Sequence, residues 1–204
     1  MTEEKLFRWA DELGATYVST LGTFDGPTAP FDEAVDALGR FADRATARGL
    51  RPHLEPIPST KVHDLTAGMD LVRAVGRPNL GLLLDTYNLG RAGVDPAELD
   101  AVPIELVFQV QIADGVGIED GADYFADSFH HRGLPGEGSF PVLEMMAALA
   151  RQGPLPPCGP EVLNAELHAL HPRDCGPRSG EAMRKLLEDT LAGISRRDEA
   201  KGIS

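Results

Sequence analysis

Four oxygen-bearing side chains, Glu55, Asp85, Gln111 and Glu161, each stand at the end of a run with strand character. The clearest run is Asn79-Leu80-Gly81-Leu82-Leu83-Leu84, which leads without a break into Asp85. A bare buried carboxylate is costly, so Asp85 must be paired or hold a cation. If the four side chains meet, three carboxylates cannot all stay ionised without a cation. Every donor would be oxygen, counting the Gln111 amide carbonyl. That set suits Mn²⁺ or Mg²⁺, with Zn²⁺ or Co²⁺ as alternatives, since zinc prefers His or Cys among its ligands. The expectation is one divalent ion held by Glu55, Asp85, Gln111 and Glu161. An ion between two glutamates suits proton transfer next to a carbonyl, with Glu55 and Glu161 as the acid/base pair and an enediolate as the stabilised species. Arg132, beside His130 and His131, is read as a loop arginine that reaches over the metal to bind a substrate oxyanion or phosphate, or else as a solvated loop residue. His53 is a second candidate contact, or else a packed, hydrogen-bonded strand residue. Against all this stands the plainer alternative of four unrelated polar strand ends, with Asp85 serving only as a helix cap.

These residues need a scaffold that brings strand ends together. Helices are expected over Glu3–Leu13, Phe31–Arg48, Asp64–Val75, Pro141–Arg151 and Glu181–Ile194, from apolar residues at helical spacing. A short helix is expected at Asp95–Leu99, with Asp95 as N-cap and Pro96 at the first position. Strands are expected over Thr16–Thr20, Arg51–Glu55, the run ending at Asp85, Ile104–Ile112 and Cys158–Leu163. Residues 115–138 read as a long loop. Strand and helix alternate at spacings that leave no room for hairpins, which predicts βαβ units and a parallel sheet. Along each strand side chains alternate faces, so His53 shares a face with Glu55, and Gln109 with Gln111. In α/β folds ligands bind at the C-terminal ends of strands, where the four oxygen donors stand.

The chain has 204 residues and a formal net charge of −13. An acidic surface argues against nucleic acid and against anionic membranes as partners. No apolar run reaches transmembrane length, and Met1-Thr2-Glu3-Glu4-Lys5 lacks the apolar core of a signal peptide. Cys158 and Cys175 are expected as free thiols of a cytoplasmic protein. One domain over residues 1–195 is expected, followed by a charged tail at 196–204 that frays.

Five segments in order carry a family likeness: Leu54-Glu55-Pro56; Gly81-Leu82-Leu83-Leu84-Asp85-Thr86; Val110-Gln111-Ile112-Ala113-Asp114; Arg132-Gly133-Leu134-Pro135-Gly136-Glu137-Gly138; and Gly159-Pro160-Glu161-Val162. Together they resemble the sugar phosphate isomerase/epimerase superfamily of xylose isomerase-like TIM barrels, which includes hydroxypyruvate isomerases, inosose isomerases and dehydratases, and ketose 3-epimerases. The resemblance implies that Glu55, Asp85, Gln111 and Glu161 bind one metal and that Arg132 contacts substrate. Asn88 stands where the family usually has a His, so Asn88 becomes a third candidate substrate contact. The implied fold is α/β, a partial (β/α) barrel of five parallel strands corresponding to barrel strands 4–8. Since one strand precedes Glu55 where the family has more, the first three barrel strands are expected to be absent. The exposed edge calls for a partner chain or a homo-oligomer to cover it. The implied function is a metal-dependent isomerase or epimerase of a sugar, sugar phosphate or keto acid. The alternatives are a non-catalytic or truncated remnant and, with less support, an endonuclease IV-like phosphodiesterase, which would need His ligands where Asn88 and Gln111 stand.

Overall fold

A computed structural model describes residues 2–115 and 123–201, the side chains of 197–201 excepted. It divides into two units, the first comprising Met1–Leu84 with Glu105–Gln109 and the second Asp85–Ile104 with Val110–Ser204.

The first unit opens with α1, Glu3–Leu13, capped by the Thr2 hydroxyl and ended by Gly14 in the left-handed region at φ 61°. Strand β1, Tyr17–Leu21, follows, then α2, Phe31–Thr46, and β2, Arg51–Glu55. Helix α3, Leu65–Val75, is capped by the Asp64 carboxylate, which accepts from the Ala67 amide at 2.8 Å. Strand β3 is Gly81–Asp85, and every one of its residues is buried. A strand covered on both faces has no use for alternation, hence the unbroken apolar run. β1 pairs in parallel with β2, placing Ser19 opposite His53, and β2 pairs in parallel with β3, placing His53 opposite Gly81. Gly81 is a glycine because a Cβ there would lie 2.6 Å from the Leu106 carbonyl oxygen and from the Phe108 ring. Phe7, Ala10, Val18, Ala45 and Leu50 form a core of this unit under α1 and α2. Full burial of each larger side chain contributes roughly 1.5–3 kcal/mol.

The second unit begins at the junction of β3 with α4, Thr86–Arg91. Two 3₁₀ turns, Pro96–Ala101 and Ile104–Leu106, precede β4, Val107–Ile112, whose first half belongs to the first unit. A two-residue antiparallel ladder joins β5, Asp114–Gly115, to β6, Arg132–Gly133, and helix α5, Tyr124–His130, lies between them in sequence. Then come α6, Val142–Ala150; β7, Cys158–Pro160; α7, Ala165–His168; and α8, Pro172–Lys201. β4 and β7 pair in parallel, with Gln111 opposite Gly159. Tyr87, Ala113, Leu134, Val162 and Leu167 form a core of this unit, with Phe140 packed against it.

The hydrogen-bonded order of the larger sheet is β1-β2-β3-β4-β7, so the expected five strands are present and β1 and β7 stand at its edges. The α/β expectation holds, with several corrections at element level. Residues 123–133 are not loop but the capped helix α5 and a strand of the small ladder. The fourth strand starts at Val107 rather than Ile104, where a 3₁₀ turn intervenes. The fifth strand ends at Pro160, so Glu161 follows it rather than lying within it. The last helix starts at Pro172, nine residues before Glu181, and continues through the charged segment to Lys201. Pro172, Gly176 and Pro177 disguise its first turns, because Gly and Pro are poor interior helix residues. Residues 116–122 of the expected loop and 202–204 of the expected tail lie outside the described residues. No described helix is long and apolar enough to cross a membrane, and both cysteines are free.

Candidate active site

Asp85 ends β3 and is also the N-cap of α4. Its Oδ1 accepts from the Tyr87 amide at 2.8 Å, as an N-cap carboxylate should. The cap reading therefore holds, and because a carboxylate has two oxygens the cap leaves Oδ2 for other partners. Oδ2 accepts from Arg132 Nη1 at 2.6 Å and from Asn88 Nδ2 at 3.4 Å. Asp85 is 1 % exposed, so this pairing is what makes its burial tolerable.

Glu161 follows β7, and its amide donates to the Ile112 carbonyl at 3.1 Å, which fixes it beside the end of β4. Its Oε1 accepts from Gln111 Nε2 at 2.8 Å and its Oε2 from Arg132 Nη1 at 3.1 Å. Carboxylate oxygens of Asp85 and Glu161 lie within 4.8 Å of each other. Burial, and then the Asp85 charge, raise the Glu161 carboxyl to about 7, with Arg132 pulling against the rise. A carboxyl poised near neutrality can take or give a proton under ordinary conditions.

Gln111 donates its amide N–H to Glu161, and its Oε1 is buried without a hydrogen-bond partner among the described residues. Buried polar atoms are rarely left unpaired, and a carbonyl oxygen beside a carboxylate is an acceptor that a bound cation would satisfy. Asp85, Glu161 and the Gln111 oxygen thus fit a hard divalent ion.

Arg132 corrects the sequence expectation most sharply. It is no solvated loop residue reaching inward but lies in β6 at 4 % exposure. The β5–β6 ladder sets Arg132 opposite Gly115, and the Asn164 side chain donates to its carbonyl at 3.0 Å. Its Nε and Nη2 donate to the Ser128 carbonyl and hydroxyl at 2.8 and 3.1 Å, and the Tyr87 ring lies 4.6 Å from the guanidinium carbon. Ser128 and Tyr87 were not singled out from the sequence, and Ser128 lay in an expected loop. Tyr87 is buried, and its hydroxyl has no partner among the described residues. Asn88 is buried too, and the Tyr124 hydroxyl donates to its Oδ1 at 2.5 Å. Arg91 and Asp127 pair at 3.1 Å and tie α4 to α5.

The other expected site residues belong to the first unit. Glu55 ends β2, partly buried, and β2 is the strand that pairs with β3. His53 is 1 % exposed, its Nε2 lies 2.7 Å from the Ser19 hydroxyl, and the Tyr17 ring stacks on it at 5.8 Å. Burial lowers its imidazole to about 4. His53 is thus packed and hydrogen-bonded at Nε2, and its Nδ1 is buried without a partner among the described residues.

With this arrangement in view, the comparisons with known proteins are informative. Residues 4–187 match the family described as xylose isomerase-like TIM barrel. The chain belongs to that family. It is 33% identical over 153 residues to a 3-dehydroshikimate dehydratase of Pseudomonas aeruginosa, covering 74% of this chain and 23% of that protein. It is 26% identical over 162 residues to an inosose isomerase of Halalkalibacterium halodurans, covering 78% of this chain and 53% of that protein. Among solved structures, a xylose isomerase-like TIM barrel/4-hydroxyphenylpyruvate dioxygenase fusion protein superposes with a TM-score of 0.86 at 25% identity, over 98% of this chain and 31% of that one. The IOLI protein with a bound zinc atom superposes with a TM-score of 0.74 at 22% identity, over 95% of this chain and 68% of that one. The chain thus spans about half or less of the length of the two curated relatives.

Proposed function

We propose that this chain carries a metal-dependent site that removes the proton beside a carbonyl of a small polyhydroxylated ketone or keto acid. The observation that carries the reading is the pairing of Glu161 with Gln111, with one buried amide oxygen unpaired among the described residues beside the Asp85 and Glu161 carboxylates. Asp85, Gln111 and Glu161 would hold the ion. Glu55 is proposed as the fourth ligand because it is a carboxylate ending the strand that pairs with β3. The all-oxygen set favours Mn²⁺ or Mg²⁺. A bound divalent ion supplies Lewis-acid polarisation of the substrate's carbonyl and adjacent hydroxyl.

The side chains do the remainder. The Glu161 carboxylate accepts the α-proton, and Glu55 is assigned as the partner that returns it. Arg132 donates N–H groups to a substrate oxyanion, and Asn88 and His53 are the further candidate contacts. Return of the proton to the neighbouring carbon gives isomerisation. Return to the opposite face of the same carbon gives epimerisation. These are the reactions we favour, carried out in a reducing cytoplasmic setting that suits the two free thiols. A second reading is dehydration, in which the same enolate expels a β-hydroxyl. It is supported by the 33% identity to the 3-dehydroshikimate dehydratase.

The test is proton exchange in D₂O, followed by NMR, with Mn²⁺ and a panel of ketoses, inososes and cyclic keto acids. Exchange at the α-carbon that is lost in Glu161→Gln supports the reading. The product then separates the two outcomes: a rearranged ketose for isomerisation or epimerisation, an unsaturated ketone for dehydration. Exchange at the wild-type rate in Glu161→Gln removes Glu161 from the mechanism.

A further inference from the structure

The second unit already contains a cation among its carboxylates. Arg132 Nη1 donates to Asp85 Oδ2 at 2.6 Å and to Glu161 Oε2 at 3.1 Å. It also lies 3.3 Å from the Glu161 carbonyl oxygen. We infer that Arg132 is a built-in counter-cation that competes with the divalent ion, so that metal uptake and withdrawal of the guanidinium from Asp85 are a single exchange. The inference rests on the metal reading given above and adds to it what sets the site's affinity.

The argument starts from acceptor capacity. A carboxylate offers about four lone-pair directions, roughly two on each oxygen. On Asp85, Oδ1 is committed to the Tyr87 amide that starts α4, and Oδ2 already accepts from both Arg132 and Asn88. An ion that takes Oδ2 must therefore displace a donor, and the short charge-assisted bond to Nη1 lies in its way. Charge points the same way. With both carboxylates ionised, as ion binding requires, one guanidinium leaves the cluster at −1, whereas the carboxylates alone would present −2 to the ion. The guanidinium is also a permanent charge, since arginine does not deprotonate in proteins.

The surroundings give the exchange somewhere to go. Nε and Nη2 are anchored on Ser128 at 2.8 and 3.1 Å, and the face of the group rests over Tyr87. Only Nη1 points at the carboxylates. A small rotation about these anchors would withdraw Nη1 while three other contacts persist. The coupling is reciprocal by linkage: whatever pulls the guanidinium off Asp85, such as a substrate oxyanion, tightens the ion to the same degree.

The experiment is calorimetric titration of the metal-free full chain with Mn²⁺ alone, for wild type, Arg132→Gln, Arg132→Lys and Ser128→Ala, with melting temperatures before and after saturation. Arg132→Gln should bind Mn²⁺ at least tenfold tighter than wild type. It should melt lower than wild type without metal and gain more on saturation. Arg132→Lys keeps the charge and should stay within threefold of wild type. Ser128→Ala keeps Arg132 and both carboxylates but frees one anchor of the guanidinium, so affinity should rise two- to fivefold. It also serves if the glutamine variant does not fold. A guanidinium that merely holds the site in shape predicts the reverse, weaker binding in Arg132→Gln and in Ser128→Ala, and that result overturns the inference while leaving the metal reading standing. If no form, wild type included, binds Mn²⁺, the metal reading falls and the inference with it.

Discussion

Each unit buries polar groups on the sheet, but they do so in opposite ways. In the first unit, His53 is buried as a neutral ring, satisfied at one nitrogen by the Ser19 hydroxyl and covered by the Tyr17 ring. In the second, Asp85, Arg132 and Glu161 are buried or half-buried as charges that satisfy one another. A neutral hydrogen-bonded pair asks little of its surroundings and can do little beyond packing. A charge cluster with one carboxyl raised to about 7 and one amide oxygen unpaired stores cost that only a ligand, a proton or a metal relieves. The position of a buried polar residue on a strand therefore does not identify a site. An unresolved charge beside an unpaired atom does, as at Glu161 and Gln111; an unpaired atom alone, such as His53 Nδ1, does not.

The sharpest way to break this contrast is Asp85→Ala. The substitution leaves buried Arg132 with only the half-buried Glu161 as counter-charge and removes the N-cap of α4. Breaking a buried pair in this way costs roughly 3–5 kcal/mol, and the cap adds about 1. His53→Leu removes no charge and should cost under about 2 kcal/mol. Urea denaturation of the two variants measures the difference. Near-equal losses would mean that the second unit's cluster is not the more highly stressed of the two.

How much of this was legible in the sequence depends on how local the determinant is. The unbroken apolar run into Asp85 announces a strand buried on both faces, because coverage by helices leaves no polar side to alternate with. The boundaries of α1, β2 and β3 follow from such local patterns, and Gly14 and Asp64 act as the caps their types suggest. Glu161 was read as the polar end of a strand, although the strand stops one residue before it. The burial of Arg132 was not legible. It depends on a two-residue ladder with Asp114 and Gly115, seventeen or more positions away in sequence, and on Ser128 in a helix whose exposed Phe125 and Phe129 gave no amphipathic signal. Long-range ladders that short leave no periodicity to read.

A pH series sharpens the comparison further. The Glu161 carboxyl is raised from 4.5 to about 7, so between those values the folded chain holds a proton that the unfolded chain has lost. Its contribution to stability is present below pH 4.5 and is given up as pH rises through about 7. The His53 imidazole is lowered from 6.5 to about 4, so the unfolded chain is the one that binds the proton. Its contribution is present above pH 6.5 and is lost as pH falls through about 4. The two slopes oppose each other over most of the same range. In metal-free protein, Glu161→Gln should make stability rise more steeply from pH 5 to 7 than it does in wild type, and His53→Leu should make it fall. Each change stays below about 1.4 kcal/mol per pH unit, the ceiling for one proton, and solvent access lowers it further for Glu161. Thermal melts of the three proteins across that range decide the signs. Identical curves would show that neither group carries its shift.

Gln111→His probes ion choice within the second unit. An imidazole in place of the amide should shift preference from Mn²⁺ toward Zn²⁺ or Co²⁺, by about tenfold in the ratio of affinities, since those ions favour nitrogen donors. Competitive titration of the two ions measures the ratio. An unchanged ratio would mean that the unpaired Gln111 oxygen is not a ligand.

The smallest effect is expected from Ser19→Ala. Ser19 is exposed and sits opposite His53 in the β1–β2 register, where its hydroxyl meets Nε2 at 2.7 Å. Removing the hydroxyl deletes one neutral hydrogen bond, worth about 0.5–1.5 kcal/mol net. Because the position is solvent-accessible, water can take over the bond, and the cost should fall in the lower half of that range. The imidazole should stay neutral near pH 7, because burial and not the serine is what lowers it. NMR titration of the His53 ring, with urea denaturation of the variant, tests both statements. If the ring instead titrates near 6.5 in Ser19→Ala, the pair is electrostatically coupled, and the neutral region of the sheet resembles the charged one more than its burial suggests. If the ring stays low and the loss is small, the Ser19–His53 pair is packing with a hydrogen bond attached, and the chemistry of this chain is to be sought among Asp85, Arg132 and Glu161.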